Sequence, residues 1–223
     1  MKKFYCYLMV VAVCVLYLAG DVFALKDSQV NKYISAINEL NEKYGVTVSV
    51  RVIDPEKANQ LSDNEINQKL HTLEEKLIIG QKALEENNKQ ESMVQQKSGS
   101  AFTAGRKDST RANAHTVYYY KDIGYIYPSG STIRCTLRAN RVYSDLHARY
   151  IWGTIISNSS SLFSGAANDW NETNTSTSLV DGDRTYYAQY WGDLTEVYND
   201  GVYEHEITSY NWRIWFEAYC PAT

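Results

Sequence analysis

Aromatic rings alternate with charged side chains near the end of the chain, and this alternation is typical of a binding surface. In TYYAQYW (185–191), the face opposite Ala188 carries a tyrosine and a tryptophan; in YNWRIWFEAYC (210–220), an outward face carries rings beside charged groups. Successive residues of a strand point to opposite faces, so each set should project from one side of a sheet. Outward rings can stack on a sugar or a side chain while polar neighbours orient it. We therefore predict an aromatic face formed by Tyr187, Trp191, Arg213, Trp215 and Tyr219.

The same rings have a plainer interpretation. The N-terminal helices could cover them, or they could fill an ordinary half-exposed sheet without binding anything. Truncation of a buried ring destabilises a protein far more than truncation of an exposed ring, so the two interpretations differ in a measurable way.

The sequence offers little support for catalysis. His147 follows Asp145 closely and His205 lies between two glutamates, but neither spacing matches an acid–base or metal motif. The carboxylates of VDGDR (180–184) could ligate calcium, although Asp-Gly is typical of a tight turn. Signatures of a nucleophile elbow, a phosphate loop and a dinucleotide fold are absent from the sequence. We therefore predict no catalytic residue, no metal site and no cofactor.

The first residues, MKKFYCYLMVVAVCVLYLAGDVFA, have the three parts of a secretory signal. Lys2 and Lys3 precede an apolar run, and small residues precede a cleavage point after Ala24. The run is shorter than the ~20 residues that span a bilayer comfortably. We expect residues 1–24 to be removed and the protein to be secreted, with no stable membrane span after cleavage. An uncleaved anchor is the alternative.

Cleavage of the signal would leave two cysteines, Cys135 and Cys220. Compartments outside the cytosol are oxidising and favour disulfides. Each cysteine lies on the apolar face of an alternating segment, so the two side chains could meet in a core. We predict a disulfide between Cys135 and Cys220; two unpaired buried thiols are the alternative.

The charge is unevenly distributed along the chain. Residues 115–223 carry 7 basic and 12 acidic side chains. Nucleic acid binding depends on neutralising phosphates with basic groups, so nucleic acid is not an expected partner.

Changes of pattern divide the chain into parts. Residues 25–95 predict a helix, an alternating strand and a second helix that begins with a Ser62–Glu65 capping box. Residues 96–114, rich in Ser, Gly and Ala, predict a flexible linker. Turn signals throughout 115–223 predict about seven to nine short antiparallel strands. The predicted fold is α+β: an N-terminal helix–strand–helix segment followed by an all-β antiparallel sandwich.

A single strand between two helices must pair its backbone groups elsewhere. Its partner could be the C-terminal sheet, the same strand of a second molecule, or water. A homo-oligomer through the N-terminal helices or strand is therefore one alternative, and packing within the chain is the other.

These observations predict a secreted, non-enzymatic binding or adhesion protein that recognises a glycan or protein at a cell surface through its β-sandwich domain. A secreted membrane-active toxin or bacteriocin-like protein is the first alternative. A hydrolase with a dispersed carboxylate site is the second, because carboxylates are plentiful.

Overall fold

The computed structural model describes residues 28–95 and 113–222. The predicted signal peptide (1–24) and residues 96–112 of the predicted linker lie outside the described residues. A helical N-terminal part is followed by antiparallel sheets, so the coarse α+β prediction is confirmed. The elements are α1 (Ser28–Tyr44), β1 (Thr47–Val52), α2 (Pro55–Gln60), α3 (Asp63–Gln95), β2 (Asn113–Ile123), β3 (Ser131–Ser144), β4 (Arg149–Gly165), β5 (Ala167–Val180), β6 (Thr185–Asn199) and β7 (Tyr203–Tyr219).

Local capping interactions set the starts of the second and third helices. The Lys57 backbone N–H donates to the Asp54 carboxylate at 3.0 Å, and Pro55 begins α2, where its missing N–H has no helical partner to lose. The Ser62 backbone N–H donates to the Glu65 carboxylate at 2.8 Å, so the predicted capping box is confirmed. The helix–strand–helix prediction missed the short helix α2.

β1 finds its partner within the chain. It pairs antiparallel with β7, with Val48 opposite Ile207 and Val50 opposite His205, and the resulting sheet has the order β1-β7-β6-β5. The N-terminal segment therefore contributes a strand to the same sheet as the C-terminal residues. α1 and α3 lie together, joined by an ion pair of 2.6 Å between the Lys43 ammonium and Glu74.

The second sheet has the order β2-β3-β4. The inner face of β3 is buried, as its alternation predicts: Ile133, Cys135, Leu137 and Ala139. Contacts that join this sheet to the first include the Tyr119 ring, which stacks on Phe216 at 5.8 Å, and the Trp152 indole N–H, which donates to the Ala218 carbonyl at 3.0 Å. Asn113 and Ala114, predicted as linker, belong to β2, where backbone pairing to β3 orders them.

The strands are fewer and longer than predicted, with six in residues 113–222. Gly192 and Asp193 form one of the turn signals in residues 115–223, but they lie inside β6 at a register shift. A Cβ at Gly192 would lie 2.4 Å from the Trp170 ring, so only glycine lets the two strands approach there. A glycine inside a strand often marks such a bulge or close approach.

The loop after β2 joins α3 to both sheets. A Cβ at Gly80 of α3 would lie 2.4 Å from the Tyr125 ring, so the helix lies directly against this loop. Glu196 of β6 accepts hydrogen bonds from the backbone N–H groups of Tyr125 and Ile126, each at 2.6 Å. These contacts fix the loop that follows β2 against α3 and β6.

Candidate functional site

The residues of the predicted aromatic face project from one side of the first sheet. In the register of β6 and β7, Trp191 lies opposite Arg213 and Tyr187 lies opposite Glu217. Directly opposed residues of antiparallel strands share a face. The structure therefore places on one face Tyr187, Trp191, Arg213, Trp215 and Tyr219.

Much of this face is packed rather than open. The Trp215 ring lies 5.1 Å from the Tyr187 ring, and its indole nitrogen is buried with no hydrogen-bond partner. Gln189, opposite Trp215, is buried as well. Tyr219 is 61% exposed, and its hydroxyl donates to Glu217 at 2.9 Å. The face thus combines half-buried rings with one open ring at its end.

A more open group of rings lies on the outer face of the second sheet, around Arg134 of β3. The Arg134 guanidinium carbon is 4.1 Å from the centre of the Phe163 ring. It is 5.8 Å from the Tyr118 ring and 5.9 Å from the Tyr120 ring. We call these four residues the Arg134 ring cluster. All three distances lie within the range of cation–π attraction.

Three strands build the Arg134 ring cluster. Tyr118 and Tyr120 are alternate residues of β2 and so share a face, and Tyr120 pairs directly with Arg134. Phe163 of β4 is the extra residue at a register shift between Thr132 and Ile133. The Phe163 ring lies 4.9 Å from the Tyr120 ring, so the rings of the two flanking strands meet beside the central arginine.

The Arg134 ring cluster is open to solvent and positively charged. Tyr118, Tyr120 and Phe163 are 52%, 49% and 48% exposed. Arg134 is half-buried, and its Nε atom is buried with no hydrogen-bond partner. Within residues 28–95 and 113–222, no acidic side chain forms an ion pair with Arg134. The cluster therefore offers stacking surface and a cation without an acidic partner.

Sequence reasoning missed the Arg134 ring cluster, although part of the signal was present. In HTVYYYKDI (115–123), Tyr118 and Tyr120 alternate with Val117 and Tyr119. Three consecutive tyrosines hide that alternation, since rings then occupy both faces. The arginine was visible on the outward face of β3, but the bulge that brings Phe163 to it leaves no clear mark in the sequence.

Cys135 and Cys220 are both unbonded, buried thiols in the structure, so the predicted disulfide is not seen there. Cys135 lies in the middle of the second sheet, opposite Tyr119 and Ser160. Cys220 follows the end of β7, where its N–H donates to the Arg184 carbonyl at 2.7 Å. Each thiol thus fills its own place in the core. Burial raises the pKa of Cys135 to about 12 and also raises the pKa of Cys220.

The histidine and the carboxylates that the sequence offered as candidates take part in packing and in a turn. His205 is buried and bonded to the Tyr33 hydroxyl at 2.8 Å. Asp181, Gly182 and Asp183 have positive φ angles, which fits a tight turn. No group of three or more His, Cys, Asp or Glu converges on a common point in the described part of the chain.

No helix in the described ranges is both long and apolar enough to cross a lipid bilayer.

Comparisons with known proteins add little to this geometry. No protein-family model matches the chain, and no curated protein matches it. The crystal structure of a hypothetical protein from Listeria monocytogenes EGD-e is similar at 10% identity, over 46% of this chain and 73% of that one, with a TM-score of 0.25. A similarity this low carries no argument about function.

Proposed function

We propose that the chain is a secreted, non-enzymatic binding or adhesion protein that recognises a glycan or protein at a cell surface. Its recognition surface is the Arg134 ring cluster. One observation carries this proposal: three rings, each about half exposed, converge on one arginine. Covering adjacent apolar surface is favourable, so a partner that packs on these rings gains binding energy from contact area. The signal-like pattern of residues 1–24 supports export.

The arrangement of the rings favours binding because little of it has to be ordered by the partner. Tyr118, Tyr120 and Arg134 lie on two hydrogen-bonded strands, and the Phe163 ring contacts both Tyr120 and Arg134. Side chains already held in place lose less conformational entropy when a ligand binds. We further infer that the two sheets act as one sandwich-like domain, supported by the contacts of Tyr119 with Phe216 and of Trp152 with Ala218.

The neighbouring side chains favour a glycan over an apolar peptide. Ser157, Ser159 and Ser161 of β4 are exposed and lie opposite the outward residues of β3. Hydroxyl groups both donate and accept hydrogen bonds, as sugar hydroxyls do. A ring face flanked by hydroxyls can therefore stack on a sugar and bond to its edge.

An array of cell-surface glycans and extracellular proteins tests the proposal. We expect the purified protein to bind glycan positions, and Tyr120→Ala with Phe163→Ala to abolish the signal. The matched control is Tyr143→Ala, which removes a ring of 44% exposure from the same sheet but outside the cluster. Signals that survive the double variant, or that fall equally in the control, would contradict the proposal.

A further inference from the structure

We propose that the ligand of the Arg134 ring cluster is an acidic saccharide, whose carboxylate binds the Arg134 guanidinium while its sugar ring stacks on the exposed aromatic faces. This inference rests on the proposed function, because it uses the same recognition surface. It adds the chemical class of the ligand and assigns the two parts of that ligand to different side chains.

The first argument is the unbalanced charge. Arg134 has no acidic ion-pair partner among the described residues, and its Nε atom is buried without a hydrogen bond. Aromatic rings attract a cation through their quadrupole but carry no formal charge. A carboxylate on the ligand would therefore be the first full counter-charge that this arginine meets. A neutral sugar would leave that charge without a partner while covering it from water.

The second argument is the shape of the guanidinium. Its carbon lies 4.1 Å from the centre of the Phe163 ring, so the arginine lies against that ring. A guanidinium carries paired N–H donors in one plane, and such pairs match the two oxygens of a carboxylate. Lysine would keep the charge but would lose the planar fork.

The third argument limits the density of charge on the ligand. Residues 115–223 carry 7 basic and 12 acidic side chains, so this half of the chain has a net negative charge. A densely charged polyanion would be repelled by that background. Arg138 is exposed four residues further along the same face, and Asp122 of β2 lies opposite Thr132 and accepts its hydroxyl hydrogen at 2.8 Å. The local charge fits a saccharide with isolated carboxylates.

Calorimetric titration of the full chain tests this ligand class. The probes are oligosaccharides containing uronic acid or sialic acid, each paired with its carboxyl-reduced, neutral form. We expect at least one acidic member to bind at least about tenfold more tightly than its neutral partner, a difference typical of one charge-assisted contact. Because this comparison uses the unmodified protein, it does not depend on the folding of any variant. Equal binding of both members in every pair, or no binding by any acidic member, would overturn the inference.

Two arginine variants separate a specific contact from the general field of the protein. Arg134→Gln should weaken binding of the acidic saccharide by about tenfold or more and so remove its advantage over the neutral form. Arg138→Gln, an exposed arginine on the same face, should weaken it by less than about threefold. Equal losses in both variants would show that charge acts non-specifically, which contradicts the inference.

The outcomes also separate this inference from the proposed function. If an arrayed ligand depends on Tyr120 and Phe163 but is neutral, the inference fails and the proposed function stands. If no ligand on the array or in the titrations depends on the Arg134 ring cluster, both fail.

Discussion

The Tyr33 hydroxyl and the Nε2 atom of His205 lie 2.8 Å apart, and this hydrogen bond joins α1 to β7 across 172 sequence positions. The other ring nitrogen of His205 lies 3.2 Å from the Tyr198 carbonyl oxygen. A carbonyl only accepts, so Nδ1 carries a proton. Burial lowers the pKa of His205 and favours the neutral ring, in which Nε2 accepts from the Tyr33 hydroxyl. Both side chains are fully buried. A neutral histidine is therefore built into the contact between the helices and the sheet.

Tyr33→Phe should destabilise the protein through this contact. The variant keeps the ring, which stacks on Tyr203 at 4.2 Å, but leaves a buried histidine nitrogen unpaired. The expected loss is ~1–3 kcal/mol of unfolding free energy, measured by urea denaturation. Tyr210→Phe is the control, because it removes an exposed hydroxyl contact with Thr47 and should change little. Equal losses in the two variants would contradict this account of α1 docking.

The pH dependence of stability should report the neutral state of His205. Burial lowers its pKa; nearby Asp200 opposes this shift and Lys69 adds to it. The unfolded chain protonates this imidazole below about pH 6.5, whereas the folded protein keeps it neutral to a lower pH. This contribution to stability is therefore complete above about pH 6.5 and is lost as pH falls towards the lower folded pKa. His205→Gln should flatten the stability curve in that window, and an unchanged slope would contradict the assignment.

Glu196 should make the stability depend on pH in the opposite direction to His205. Burial raises its pKa, although the backbone donors of Ile126 and Tyr125 lower it in part. The folded state holds the proton more tightly, so this contribution is present below about pH 4.5 and is lost as pH rises through the raised folded pKa. Glu196→Gln removes this pH dependence while keeping an oxygen for the two N–H groups.

The same site gives a stability test. Glu196→Ala leaves two buried backbone N–H groups without an acceptor. The free energy of unfolding at neutral pH, measured by urea denaturation, should fall by ~2–6 kcal/mol. Glu196→Gln should lose much less. If the glutamine variant were as unstable as the alanine variant, the hydrogen bonds from the Tyr125 and Ile126 N–H groups would not be the source of the stability.

The two thiols should be protected rather than oxidised. Burial raises the pKa of Cys135 to about 12, so almost none of it is the reactive thiolate at neutral pH. Iodoacetamide should label Cys135 and Cys220 slowly in the native protein and rapidly after denaturation, as followed by peptide mass spectrometry. A peptide linking the two cysteines without reductant would contradict the free-thiol arrangement.

Sequence patterns predicted the faces of strands better than their partners. Alternation identified the buried face of β3 through Ile133 and Leu137, and the Ser62–Glu65 spacing located the start of α3. Period-two alternation assigns each side chain to one side of a strand and contains no information about which strand lies beside it. The pairing of β1 with β7 depends on contacts distant in sequence, which is why two alternatives stayed open.

The candidate site was harder to predict for a related reason. The register of β6 and β7 places Trp191 and Trp215 on one face, as their alternation indicates. How far each ring is buried depends on what packs over it. The Arg134 ring cluster requires a bulge at Phe163, and a bulge is an irregularity in the very periodicity on which sequence reasoning relies.

Hydroxyl-radical footprinting with mass spectrometry tests the central claim most directly, because it reports which rings a partner covers. In the free protein, Tyr118, Tyr120 and Phe163 should be oxidised readily, whereas the buried Tyr190 should not. On saturation with a ligand found on the array, the account predicts protection of those three exposed rings and no change at Tyr219. Protection at Tyr219 with unchanged oxidation of the Arg134 ring cluster would contradict the account and favour the face formed by β6 and β7.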